Sequence, residues 1–275
     1  MPNLSSSQNP AVTDRAPFGV PAFDRVMGGV PSRCVSLVFG QSYAASWAAC
    51  FAFSNASVSS RVPPAVISSA APAQWEATSE AFSGRPKPPD VQFLQVAQQA
   101  LTPQLARDAW MEMLPTLETC RNGRVAFCSA LPWFSFVPER SMEEYAATFV
   151  AALDDLYANV LLVLPEPASP RATALVRHLE AVCPVVIRLE SGDEADSIRW
   201  ITRRFDGSDL LPEFNLAETD LRELPKRTRA REEPGKKHAS VTDKPSITLD
   251  YARLMGLGDE SKPTNLVANE RNPRS

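Results

Sequence analysis

Histidine is nearly absent from this 275-residue chain, which has only His178 and His238. Neither has the partners that a Ser/His/Asp relay or a zinc site requires, so no catalytic residue and no metal site is expected. Cysteine is sparse and unpatterned. Cys34, Cys50, Cys120, Cys128 and Cys183 are odd in number, sit mostly in apolar runs and never form a CxxC pair. They read as buried, reduced thiols of a reducing compartment.

Long hydrophobic runs are lacking too. Proline or charge interrupts each apolar stretch well short of the ~20 residues that cross a bilayer, and Met1 to Pro17 has no basic region followed by an apolar one. A cytoplasmic protein without a membrane span is expected. Positive charge is also in deficit: 28 Lys and Arg stand against 32 Asp and Glu, a net charge of −4. Phosphate neutralisation needs concentrated basic surface, so nucleic acid is not an expected partner.

What the chain does have is proline, 25 residues where average usage of about 5% would give roughly half as many. The prolines gather in loops and at both ends. Residues 1–17 and 222–275 read as disordered on composition, and the body between them alternates strand and helix patterns. Cys34–Phe39, Pro64–Ser69, Arg124–Ser129, Val160–Leu164 and Pro184–Leu189 read as buried strands. Ala44–Ser54, most of Phe93–Cys120, Ser141–Tyr157 and Ser169–Val182 read as helices. Ser197–Arg204 and Glu213–Asn215 look like a closing hairpin. Parallel strands need crossovers, so this alternation predicts an α/β domain with a mainly parallel, helix-wrapped sheet and an antiparallel edge hairpin.

The segment PFGVPAFDRVMGGVPSRCVSLVFGQSYAASW carries a more specific signal. Gly19, Val20, Pro21, Phe23 and Asp24, then Gly28 and Gly29, then Pro31, then the strand Val35–Phe39 follow one another in the order and spacing of the opening of RecA-like P-loop ATPases of the KaiC/RadA type. The resemblance covers about residues 18–221 and implies a RecA-like domain. A phosphate loop reads GxxxxGK[ST]: its glycines let backbone amides surround the phosphates, its lysine neutralises them and its hydroxyl meets magnesium. Here Gly40 remains, but Ala45 stands at the second glycine, Ser46 at the lysine and Trp47 at the magnesium ligand. The strand Val160–Leu164 meets Pro165 where the resemblance implies the Walker B aspartate, with Glu166 one residue on. The strand Ala65–Ser69 continues into Ala70 and Ala71 rather than into acidic residues. Phosphoryl transfer in this class is mostly positioning and charge stabilisation, so the pattern reads as a retained fold with lost hydrolysis and no cofactor. In style the chain is also similar to the N-terminal part of the bacterial cellulose-secretion regulators.

Three further features bear on partners. Pro132–Trp133–Phe134 is apolar for a loop at a strand's carboxyl end, where α/β proteins present ligands; Trp133 and Phe134 are therefore candidate contact residues. In the tail, residues 246–257 place Ile247, Tyr251, Leu254 and Met255 on one face of a short helix, a partner-docking pattern. Arg203 and Asp206 form RxxD, a short pattern used to bind cyclic di-GMP. The expectation is a pseudo-ATPase acting as a scaffold or regulatory subunit. Its partners would be other proteins: a second copy, or a RecA-like or other P-loop ATPase. The assembly would be cytoplasmic and linked to bacterial secretion or cell-envelope regulation. The alternatives are a nucleotide or cyclic-di-GMP sensor and an accessory of DNA recombination or repair.

Overall fold

A computed structural model of the protein describes residues 14–41, 43–56, 62–83, 91–96, 101–192, 197–206 and 208–217. The residues 246–257 and the rest of the tail from 218 lie outside this set, as do residues 1–13. Residues 15 and 16 fall within the segment read from sequence as disordered and form a strand. Strand β1 (Arg15–Ala16) pairs antiparallel with β2 (Val30–Pro31), on either side of the short helix α1 (Pro21–Met27).

An eight-stranded sheet forms the centre. In chain order its strands are β3 (Val35–Gly40), β4 (Ala65–Ser68), β5 (Gln92–Gln95), β6 (Arg124–Phe127), β7 (Asn159–Pro165), β8 (Val185–Ser191), β9 (Ser197–Phe205) and β10 (Glu213–Ala217), and in space they run β10-β9-β8-β3-β7-β6-β4-β5. Six are parallel, and β9 and β10 add antiparallel pairings at one edge. The protein is thus α/β with a mostly parallel mixed sheet. The region 93–120, read from sequence as mostly helical, is corrected at its start: Gln92–Gln95 is the edge strand β5. The helix there, α4 (Pro103–Thr119), starts only where Pro103 follows the Thr102 N-cap, whose Oγ1 accepts from the Leu105 N–H.

The central strands are mostly apolar because both faces are covered. In β7, Val160, Leu162 and Leu164 join one core and Leu161 and Val163 the other, as period-two alternation requires of a strand between two helical layers. Helices α4, α5 (Met142–Asp154) and α6 (Pro170–Val182) cover the first face through Trp110, Phe149 and Leu179. On the other face lie α1, α2 (Tyr43–Asn55) and α3 (Pro72–Ser83), which pack through Phe23, Phe53 and Trp75.

The motif around Gly19 and Asp24 builds a clasp. Asp24 accepts from the backbone N–H of Phe18 at 2.6 Å and of Gly19 at 2.8 Å. Gly19 has φ +106°, and a Cβ there would collide with the carbonyl of Ala52 on α2. Arg124, buried at the head of β6, donates to the carbonyls of Pro17 and Phe53 and lies 4.7 Å from the Phe53 ring centroid. Burial lowers its pKa to about 10, opposed by the charge of Asp24. One guanidinium thereby fastens the N-terminal segment to the end of α2.

Arg124→Ala, which leaves those carbonyls without their donor, should cost about 3 kcal/mol in urea unfolding. Asp24 supplies a pH signature. Burial raises its pKa against the lowering by its two backbone hydrogen bonds, so the folded state binds the proton more tightly than the unfolded chain. Its contribution to stability is full at acid pH and is lost as pH rises through and beyond the ordinary carboxylate range. Unfolding measured across that range should show the decline, and Asp24→Asn should flatten it.

Candidate functional site

The carboxyl ends of β3, β7 and β8 meet where a phosphate loop would lie. In register Gly40 stands opposite Pro165 on one side and Leu189 on the other. Its carbonyl accepts from the Glu166 N–H at 2.7 Å, while the Gln41 N–H donates to the Leu189 carbonyl at 3.3 Å. A Cβ at residue 40 would run into the Leu189 backbone and Cβ. The surviving glycine is therefore required by the close approach of β8, whether or not phosphate is bound.

Beyond Gly40 the chain enters α2 at Tyr43, so Gln41 and Ser42 alone separate strand from helix. In the phosphate-loop frame the second glycine position is residue 45; here that position is already inside the helix. Ala45, Ser46 and Trp47 are all buried. The Trp47 ring lies 5.5 Å from that of Trp75 on α3, and Trp75 in turn meets Phe51 at 5.9 Å and Phe93 of β5 at 6.2 Å. The position that the resemblance assigns to the magnesium ligand is part of an aromatic core joining α2, α3 and the sheet edge.

The charges nearby cancel one another. Arg188 Nη2 lies 3.0 Å from Glu166 Oε1 and Nη1 lies 2.9 Å from Glu190 Oε1. An arginine between two glutamates offers no surplus positive charge to a triphosphate. Glu166, the nearest acid to the Walker B position, is thus committed to Arg188. Among the described residues no group of three or more His, Cys, Asp or Glu is placed to hold a metal ion, and no helix is long and apolar enough to cross a membrane.

The other sequence-derived residues separate. Trp133 and Phe134 form a 3-10 turn (Leu131–Phe134) after β6 and are buried, which corrects their reading as contact residues. Trp133 packs edge-on to Trp110 at 5.8 Å, Phe134 meets Phe149 at 5.1 Å, and Leu131 is left at the surface. Arg171 on α6 holds this loop in place by donating from Nη2 to the carbonyls of Phe134, Ser135 and Val137. Sequence periodicity could not show that α5 and α6 reach over the loop. Arg203 is exposed, and Asp206 is engaged instead by Arg204, which donates from Nε at 2.7 Å and Nη2 at 3.0 Å and from Nη1 to the Ala181 and Glu180 carbonyls closing α6. The RxxD carboxylate is thus part of a helix C-cap. All five cysteines are buried and unbridged; burial first, and then the neighbouring Cys128 thiol, pushes the Cys50 thiol well above its ordinary pKa.

Sequence reasoning passed over Arg124 and Arg171. The first had a signal, a charged residue heading the otherwise apolar run Arg124–Phe127; the second, on the polar side of an amphipathic helix, had none. No protein-family model matches the chain, and no curated protein matches it at a significant level.

Trp47→Ala should destabilise the protein by about 3–5 kcal/mol, the usual cost of emptying an aromatic site in a core. A melting curve checks this: a Trp47 that merely roofed an open nucleotide cleft would leave the transition almost unmoved.

Proposed function

We propose that this chain is a non-catalytic RecA-like protein, a pseudo-ATPase that acts as a scaffold or regulatory subunit through protein contacts in a cytoplasmic assembly. The observation that carries the reading is the fate of the phosphate-loop position. Helix α2 starts two residues before the second glycine position, and the lysine and magnesium positions are buried as Ser46 and Trp47. Binding ATP there would require unpacking Trp47 from Trp75 and unwinding the first turn of α2.

Two features of the sheet support the RecA-like part. In P-loop enzymes the phosphate-loop hydroxyl and the Walker B acid share one magnesium ion, so the strands bearing them must end near one another at the same edge of the sheet. Here β3 and β7 are parallel neighbours, with Gly40 opposite Pro165. The antiparallel hairpin of β9 and β10 closes one edge, where the resemblance implies one. The motif is therefore divided: the half that builds the fold, Gly19 to Asp24, is engaged in hydrogen bonds and close packing, and the half that binds phosphate is replaced. A link to bacterial secretion or cell-envelope regulation rests on the similarity to cellulose-secretion regulators alone.

Calorimetric titration of the full chain with ATP and magnesium, beside an identical titration with cyclic di-GMP, tests the reading. No heat is expected from either ligand at about millimolar concentration, a free energy weaker than about −4 kcal/mol. Micromolar ATP binding would overturn the account of the phosphate-loop position, and cyclic di-GMP binding would make the protein a second-messenger sensor.

A further inference from the structure

At the end of the sheet opposite Gly40, three turns feed the heads of β3, β6 and β7. Each contains one non-glycine residue in the left-handed region: Arg33 at φ 60°, Asn122 at φ 59° and Tyr157 at φ 52°. This conformation is comfortable for asparagine and costly for arginine and tyrosine. The turns are tied together. The Asn122 N–H donates to the Tyr157 carbonyl, the Arg33 N–H to Asn159 Oδ1 and the Asn159 N–H to the Gly123 carbonyl, each at 3.0 Å.

What this backbone holds up is a Tyr157 ring, 51% exposed, with two guanidinium groups against it. The Arg33 Cζ lies 5.9 Å and the Arg121 Cζ 5.6 Å from its centroid. Arg33 and Arg121 take part in none of the ion pairs seen among the described residues. A guanidinium stacked on a ring gives up side-chain freedom in advance while its N–H donors stay available for a carboxylate. Strained backbone maintained by cross-links between loops, carrying unpaired charge at the surface, is the pattern of a preorganised contact.

We propose that Arg33, Tyr157 and Arg121 form a docking surface for a carboxylate-bearing segment of a partner protein. Asp154 and Asp155, exposed on the turn just before Tyr157, decide the class of partner. A nucleic-acid strand carries charge at every phosphate and would set some of it against these aspartates. A peptide can place spaced carboxylates on the arginines and uncharged or basic residues beside Asp154 and Asp155. The inference deepens the scaffold reading and rests on it for the partner being a protein. The two fail separately, because the surface lies at the other end of the strands from the phosphate-loop position.

The test is fluorescence anisotropy on the full chain at low ionic strength, using a fluorescein-labelled peptide of alternating glutamate and glycine. A lysine–glycine peptide of equal length and an oligothymidine serve as comparisons. The glutamate peptide should bind, and Arg33→Asn with Arg121→Gln should weaken it about tenfold. Asparagine keeps the left-handed turn, so the melting temperature should hold. Tyr157→Leu, which keeps both charges and removes the ring, should still weaken binding severalfold. Absence of glutamate-peptide binding, binding unchanged in the double variant, or tighter binding of the oligothymidine would each overturn the proposal.

Discussion

A guanidinium withdrawn from water must find its hydrogen bonds inside the protein, and where Arg124 finds them sets much of the arrangement around it. Its partners are the carbonyls of Pro17 and Phe53, one in the N-terminal segment and the other near the end of α2. The group therefore fixes how the chain enters the domain relative to the helix that crosses the sheet. Asp24 completes the arrangement by holding the Phe18 and Gly19 amides, and Phe18 then seats against Phe23, Phe53 and Trp200. A single charge at the head of β6 thus anchors the aromatic packing around Phe18 and Phe53, across segments distant in sequence.

At the opposite end of the strands, the position that the resemblance assigns to a phosphate loop is packed and its charge is paired. Phosphate cradles are costly for a protein in isolation, since they expose backbone amides in a tight loop and gather positive charge. Here the charge of Arg188 is answered by Glu166 and Glu190, and Trp47, Trp75, Phe51 and Phe93 bring apolar contact to the region.

Much of the fold could be read in the sequence where one physical rule governs. The runs Cys34–Phe39 and Val160–Leu164 are apolar but for the buried Ser36, because strands between two helical layers have no solvent side, and they are β3 and β7. Gln92–Gln95 was misread because a four-residue edge strand against α4 presents too little pattern for period two to outweigh neighbouring helical signal. Trp133 and Phe134 were misplaced for a different reason: an apolar loop is compatible with either exposure or cover, and only the path of α5 and α6 decides. The substitutions at Ala45, Ser46 and Trp47 were plain in the sequence. The start of α2 at Tyr43, two residues before Ala45, was not, since a motif frame does not mark where a helix begins.

The position of β3 has a consequence for how the chain reaches its native state. Within the domain this strand is synthesised well before both of its neighbours, β7 and β8, which begin only at Asn159 and Val185. Until they emerge, an almost wholly apolar strand waits at the future centre of the sheet with both backbone edges open. Closing such distant pairings is slow, and the waiting strand is an invitation to mispairing. The early helices α1 and α2, which pack on it locally, are therefore its natural escorts during synthesis, and the lifetime of that half-built layer is set by the arrival of the last third of the domain.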